Sequence, residues 1–214
     1  MKAIFCLLTS YILFMTCSNA QSLGLTTGPA FSFYEISADN VSVTSDIKTG
    51  FSGGLVAHVP VSKYLSFRPE LKYVQKGGKL SEDGYSDKLT LSYIELPVNF
   101  VFNTHSIKGM FFAGLGPSFN LGLSGKSKGD DGDYDVKFGS SSEDDFKPFE
   151  IGLNALVGYQ FKSGFFVSAN SNTGLNNVGN DFDYNAEYHN WYFGINIGFM
   201  FKGKPKPAAP AATN

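Results

Sequence analysis

The chain has 214 residues, of which 43% are hydrophobic and 17% are charged, and its mean hydropathy is −0.08. That length predicts one domain of ordinary size, and the near-zero hydropathy excludes a bundle of membrane helices. The formal net charge of −2 gives no electrostatic basis for binding nucleic acid. The 21 Phe, 11 Tyr and 24 Gly, beside a single Trp, predict many short amphipathic strands.

Residues 1–20 have the composition of a secretory signal peptide. A lysine at position 2 supplies the positive start, an apolar stretch runs from Ala3 to Met15, and Ser-Asn-Ala at 18–20 forms a small-x-small cleavage site. We expect cleavage after residue 20, which leaves a mature chain of 194 residues.

The two cysteines, Cys6 and Cys17, both lie upstream of that cleavage site. A mature chain without cysteine forms no disulfide in an oxidising compartment. Cleavage before Cys17, as in a lipoprotein, is the alternative, although Phe14 and Thr16 flank that cysteine poorly.

Strict alternation of apolar and polar residues dominates the chain after residue 20. A period of two places the two sets on opposite faces of a strand. In the clearest case, residues 190–201, one face carries Trp191, Phe193, Ile195, Ile197, Phe199 and Phe201. No stretch approaches the roughly 18 consecutive apolar residues that a membrane helix needs.

The same rule predicts eight strands, at about 23–36, 50–61, 65–76, 89–102, 110–123, 149–161, 165–173 and 190–201. Their polar faces hold mainly Gly, Ser, Asn and Tyr. Small neutral side chains suit the interior of a narrow barrel, and the apolar set suits a lipid-facing exterior. A soluble β-sandwich is the alternative, but its polar face is usually rich in charge.

The lengths of the connections support the barrel. Long and short segments alternate, at 37–49, 62–64, 77–88, 103–109, 124–148, 162–164 and 174–189. Outer-membrane barrels have tight periplasmic turns and long extracellular loops. We therefore predict an all-β fold over residues 21–202: an eight-stranded antiparallel transmembrane β-barrel of OmpA or OmpX size, with both termini periplasmic.

Several segments resemble the outer-membrane β-barrel domain family that is common in Bacteroidetes, is often labelled porin-like and includes PorT-type proteins. The segments are SYIELPVNFVF (92–102), GLGPSFNLGL (114–123), GLNALVGYQF (152–161), TGLNNV (173–178) and YFGINIGFMF (192–201). The resemblance implies an outer-membrane location, no cofactor and no common catalytic residues.

The last predicted strand also resembles the signal that the barrel-assembly machinery reads. The resemblance rests on Gly194, Ile197 and Phe199, although Phe201 is not the last residue of the chain. Residues 203–214 form a Pro/Ala-rich tail, which we expect to extend into the periplasm.

Four charged residues, Arg68, Glu70, Lys72 and Glu95, fall at inward-facing positions of the third and fourth predicted strands. If the loop 77–88 closes symmetrically, Glu70 faces Glu95. Charges inside a barrel must pair internally, because an unpaired buried charge is costly. We expect a structural plug; a gated ion path is the alternative.

The loop 124–148 is rich in acidic residues. Asp131, Asp133 and Asp135 have the spacing of the first three ligands of a calcium loop, but Val136 stands where that loop needs glycine. They are weak calcium candidates, and a solvated, mobile acidic loop is the preferred interpretation.

The three histidines, His58, His105 and His189, form no recognisable catalytic or metal-ligand pattern with other residues. We therefore expect a structural or surface-interaction protein rather than an enzyme, with a PorT-like accessory of secretion or transport as the alternative and an outer-membrane enzyme as a further one. The expected partners are outer-membrane lipid and lipopolysaccharide, the assembly machinery, and a protein or other surface ligand at the four extracellular loops.

Overall fold

The structure is a computed structural model that describes residues 22–38, 41–82, 85–130, 132–141, 143–180 and 186–201. The expected signal peptide and the Pro/Ala-rich tail, like Asp131, lie outside these residues. None of the residues described forms a helix that is long and apolar enough to cross a membrane.

The described chain forms ten β-strands. Their bounds are β1 Ser22–Ala38, β2 Val41–Thr44, β3 Lys48–Pro60, β4 Leu65–Glu82, β5 Tyr85–His105, β6 Gly109–Gly129, β7 Gly132–Val136, β8 Phe149–Phe161, β9 Phe165–Gly174 and β10 Glu187–Met200. Each of the eight predicted strands is present, and most are longer than the alternation indicated.

Eight of these strands form a closed antiparallel ring. The pairing order is β1, β3, β4, β5, β6, β8, β9 and β10, and β10 pairs with β1 from Gly24↔Met200 to Ser37↔Glu187. The short strands β2 and β7 pair with the ends of β1 and β6, at positions past the pairing of those strands with β3 and β8. The prediction of an eight-stranded antiparallel barrel is therefore confirmed.

The register around the ring makes this barrel narrow and its strands tilted. A path that starts at Ser32 and crosses from partner to partner returns to β1 at Ser22, so one circuit shifts the register by ten residues. Eight strands that are staggered in this way are tilted by about 40° from the barrel axis. They enclose a space that side chains can fill.

Short turns and long hairpins lie at opposite ends of the barrel. The short connections are 61–64, 106–108 and 162–164, and Ser22 and Phe201 lie at the same end, where the Phe201 amide donates to the Leu23 carbonyl. The prediction of a loop over 77–88 was wrong, because β4 and β5 remain paired to Glu82 and Tyr85. The hydrogen bonds between β4 and β5 satisfy the backbone groups of this hairpin. Its residues, however, show no apolar face from which a strand could be predicted.

The outer face is a continuous apolar band. On β10 the outward side chains, from Trp191 to Phe199, are each between 37% and 51% exposed. Their span is about 27 Å along the strand, or about 20 Å in height after tilt, which is close to the apolar band of outer-membrane barrels. So large an exposed apolar surface is unsuited to water.

Aromatic residues border this band at both ends. Near the long hairpins, Phe31 stacks on Phe193 and Phe33 on Trp191. Near the short turns the ring contacts are Tyr64–Phe102, Phe111–Tyr159, Tyr159–Phe161, Phe161–Phe165 and Phe199–Phe201. Such girdles mark the two membrane–water interfaces of transmembrane barrels.

Candidate functional site

The predicted charge cluster lies together inside the barrel. Arg68 Nε is 3.4 Å from Glu70 Oε1, Lys72 Nζ is 3.6 Å from Glu70 Oε2, and the same Nζ is 3.4 Å from Glu95 Oε1. Arg68, Lys72 and Glu95 are buried, and the Glu70 side chain is nearly so.

The predicted pairing of Glu70 with Glu95 was wrong. Lys72 is the cross-strand partner of Glu95, and Arg68 is the partner of Asn99. The turn between β4 and β5 is centred one residue later than a symmetric loop over 77–88 requires, which moves the register by two residues. An acid therefore faces a base.

Two further charges, Lys76 and Glu150, complete the cluster and were not predicted. Lys76 Nζ lies 2.5 Å from Glu150 Oε1 and 3.7 Å from Glu95 Oε2, and all three side chains are inaccessible to solvent. The six groups form an alternating chain of three cations and three carboxylates, which we call the ladder. It is Arg68, Glu70, Lys72, Glu95, Lys76 and Glu150.

Neutral side chains donate further hydrogen bonds to three carboxylate oxygens of the ladder, whereas Glu95 Oε2 has only the Lys76 ammonium, at 3.7 Å, beside it among the described residues. The Tyr192 hydroxyl donates to Glu95 Oε1 at 2.6 Å. Asn120 Nδ2 and Asn190 Nδ2 donate to the two oxygens of Glu150 at 2.8 and 2.7 Å. Buried ion pairs are tolerated when such additional hydrogen bonds are present, and the six charges of the ladder sum to zero.

Arg68 ends the ladder on the side of the short turns. Its guanidinium carbon lies 4.4 Å from the ring centre of Phe112 and 4.7 Å from that of Phe166. This placement between two rings adds cation–π attraction to its ion pair with Glu70. Phe112 and Phe166 are themselves buried and lie in one apolar cluster beside the guanidinium.

Apolar side chains from the long hairpins cover the other end of the ladder. Val136, Phe146, Val178 and Tyr188 are buried in one cluster, with Phe138 packed against it. Phe146 forms isolated β-bridges to Phe138 and to Gly179. These bridges connect the loop before β8 with the loop after β9 at the long-hairpin end of the barrel. The loop 124–148 is thus only partly the solvated loop that was expected: Asp133 and Asp135 are exposed, whereas Phe138 and Phe146 pack into the cluster.

The two calcium candidates within the described residues have other partners or none. Asp133 Oδ2 on β7 lies 3.5 Å from Lys126 Nζ and 3.6 Å from Lys128 Nζ. Asp135 is the cross-strand backbone partner of Lys126. No group of three acidic, histidine or cysteine side chains with metal-site geometry occurs in the part of the chain that the structure describes.

The residues of the proposed assembly signal lie on both faces of β10. Ile197 and Phe199 point outward and are about half exposed. Gly194 points inward, where a Cβ would lie 2.7 Å from Asn170 Oδ1. Their role in assembly stays a prediction.

The described histidines do not meet in one place. His189 Nε2 lies 3.5 Å from Glu187 Oε2 at the long-hairpin end, whereas His58 pairs with Ser22 at the opposite end. The side chain of His105 is outside the described set.

A closed antiparallel ring with an apolar, aromatic-bordered exterior and a polar interior defines the class of outer-membrane β-barrel proteins. The family model described as "Outer membrane protein beta-barrel domain" matches residues 19–180, and the chain belongs to that family. It is accordingly a protein of the outer membrane.

Several solved structures of outer-membrane proteins are similar to this chain at low identity. The attachment invasion locus protein Ail of Yersinia pestis is 13% identical, with 85% of this chain and 100% of Ail covered and a TM-score of 0.40. Neisserial surface protein A is 13% identical, with 84% and 97% covered and a TM-score of 0.47. OprG of Pseudomonas aeruginosa is 11% identical, with 86% and 97% covered and a TM-score of 0.47. No curated protein matches the chain.

Proposed function

We propose that the protein is a non-conducting anchor that presents its long hairpins at the cell surface. The observation that carries this proposal is the solvent inaccessibility of the ladder: Lys76, Glu95 and Glu150 are each 0% exposed. These side chains are closed off from solvent, which supports a lumen that they fill instead of a channel that they line.

The ends of the barrel differ in a way that supports surface display. Four long hairpins lie at one end, and two of them carry the added strands β2 and β7. Because long loops of outer-membrane barrels are extracellular and short turns periplasmic, we place the hairpins outside and both chain termini in the periplasm. Residues 1–20 would direct the chain across the inner membrane and then be removed. No enzymatic step is part of this proposal.

Single cysteines test the orientation. Tyr134→Cys on β7 and Ser163→Cys in the turn after β8 replace exposed residues at opposite ends. We expect a membrane-impermeant maleimide to label Tyr134→Cys in intact cells and Ser163→Cys only after the outer membrane is permeabilised. The reverse result would overturn the proposed orientation. The wild-type chain, whose Cys6 and Cys17 are removed with residues 1–20, is the unlabelled control.

A PorT-like role in secretion or transport predicts a different phenotype. A deletion strain would then lose secreted proteins from the medium, whereas a surface anchor leaves secretion unchanged. Comparison of the secreted proteins of deletion and complemented strains separates the two functions.

A further inference from the structure

An open cavity lies at the short-turn end of the barrel, on the rim of the wall. Its volume is about 300 Å³, which is at the lower end of the range for small-molecule sites. By alternation Gln160 and Met200 are inward residues, and they line the cavity together with the exposed Phe161 and Phe201. The cavity therefore reaches from the mouth of the lumen to the lipid-facing side of the wall.

Two lysines stand opposite each other at this rim. Lys108 precedes β6 and Lys162 follows β8, one step beyond the last cross-strand pair, Gly109↔Phe161. The Lys162 amide donates to the Lys108 carbonyl at 3.4 Å, so the two residues continue the pairing of β6 with β8. Residues directly opposite in a sheet share a face, and both lysines are exposed. Lys162 also lines the cavity.

No acid balances these two positive charges. Asp and Glu are absent from the segments that form this end of the barrel, which are 22–27, 57–69, 99–113, 157–170 and 195–201. Among the described residues, neither lysine has a carboxylate within ion-pair distance. Like charges directly opposite one another repel, so an anion held between them would relieve this repulsion.

Polar side chains line the cavity beside Lys162. Ser22 and Ser106 carry hydroxyls that can donate to the oxygens of an anion. Gln160 Oε1 is buried and has no hydrogen-bond partner among the described residues, and an unpaired buried acceptor is costly. A ligand that fits the cavity therefore brings an anionic group for the lysines and a hydrogen-bond donor for Gln160.

The two lysines lie at the height of lipid headgroups. Lys162 directly follows Phe161, and Lys108 is three residues, or about 10 Å along the strand, from Phe111. Both aromatic residues belong to the girdle near the short turns, which marks a membrane–water interface. Lysine side chains at such an interface place their ammonium groups among the headgroups while their stems stay on apolar surface. An anion bound here is level with the phosphates of the surrounding leaflet.

We propose that this rim cavity binds the headgroup of an anionic phospholipid that carries hydroxyl groups, such as phosphatidylglycerol. The phosphate lies between Lys108 and Lys162, where lysine acts as a point-charge ligand, and a glycerol hydroxyl donates to Gln160. The acyl chains lie on the outward apolar band. A zwitterionic headgroup fits less well, because its own ammonium would lie beside the two lysines. The inference goes beyond the proposed anchor function, and it holds whichever side of the membrane the short turns occupy.

Quenching of a tryptophan by brominated lipids measures which lipid occupies the rim. The reporter chain carries Phe111→Trp, at an outward position that is 60% exposed, and Trp191→Phe, which removes the single tryptophan of the sequence. The full-length mature chain is refolded into phosphatidylcholine vesicles that contain a fraction of brominated phosphatidylglycerol or of brominated phosphatidylcholine. The ratio of the two quenching constants gives the preference of the rim for the anionic lipid.

We expect the reporter chain to prefer phosphatidylglycerol about tenfold, because one lysine near an anionic lipid surface contributes up to about fivefold. Lys108→Gln and Lys162→Gln should each lower the preference to about threefold, and the double variant should bring it close to one. Lys63→Gln is the matched control, because it removes an exposed lysine from another short turn at the same end; it should leave the preference unchanged. No preference in the reporter chain, or equal losses from Lys63→Gln and Lys108→Gln, would overturn the site.

A second lipid tests the role of Gln160. Phosphatidylmethanol has the phosphate charge of phosphatidylglycerol but no headgroup hydroxyl. We expect the reporter chain to prefer phosphatidylglycerol over it by about threefold, and Gln160→Leu to abolish that preference while both anionic lipids remain favoured over phosphatidylcholine. Equal quenching by the two anionic lipids in the reporter chain would overturn the choice of a hydroxyl-bearing headgroup. A barrel that passes the maleimide-labelling test but shows no lipid preference would overturn this site alone.

Discussion

Replacement of Lys76 by methionine removes one charge from the ladder while a side chain of similar length remains. Lys76 Nζ contacts Glu150 Oε1 at 2.5 Å and Glu95 Oε2 at 3.7 Å in a solvent-free interior. Without it the donors that remain to Glu150 among the described residues are the amides of Asn120 and Asn190. One buried carboxylate then lacks a cation, and the loss of one partner of a buried pair costs about 3–5 kcal/mol.

The double variant Lys76→Met/Glu150→Gln restores neutrality. We expect it to recover about 2–3 kcal/mol of the loss, because contacting charges couple by amounts of this order. Urea unfolding in lipid vesicles, followed by fluorescence of the single tryptophan, Trp191, measures the free energy of unfolding. Lys162→Met, at an exposed position, should change that free energy by less than about 0.5 kcal/mol.

Two results would refute this account of the ladder. The first is a loss of less than about 1 kcal/mol for Lys76→Met, which would mean that the interior tolerates an uncompensated charge. The second is a double variant whose destabilisation equals the sum of the two single losses, which would mean that Lys76 and Glu150 do not interact.

Three further predictions concern the wall and the rim. Gly28→Val should prevent closure between β1 and β10, because a Cβ there would collide with the Ile195 carbonyl oxygen. The unboiled variant should then lose its heat-modifiable band on a gel, and a retained band would contradict this prediction. Leu115 is an outward residue that is 62% exposed, and Leu115→Arg should destabilise the barrel in vesicles by about 2–4 kcal/mol. Leu115→Ala is the control, and equal destabilisation by the two variants would argue against a lipid-facing site. Calorimetric titration with calcium should show no heat of binding, because Asp133 already faces two lysines. Heat of binding that is present in the wild type and absent in Asp133→Asn would support the calcium site instead.

The strands and their order were predictable because each depends on local information. Alternation fixes which residues share a face, and the regular change between long and short connections fixes antiparallel neighbours in chain order. The register of β4 against β5 was missed by two residues. Asp83-Gly84 is a strong signal for a two-residue hairpin turn, and centring the hairpin there places Lys72 opposite Glu95, as found.

The complete ladder was not predictable from the same information. Glu150 falls at an inward position by alternation, and Lys76 stands at the end of its predicted strand. Their contact, however, joins β4 to β8 across the lumen, between residues 74 apart in the chain. Which side chains meet there depends on the diameter and the stagger of the closed ring, which a period of two does not specify.

Conductance measurements in planar lipid bilayers show whether the barrel is closed by its own side chains. The refolded wild-type chain should produce no large, stable current steps, because the ladder leaves no solvent-accessible path past Lys76, Glu95 and Glu150. Large, stable and reproducible steps from the folded, heat-modifiable form would mean that the barrel is open, and they would restore the gated ion path as the function of the charged interior.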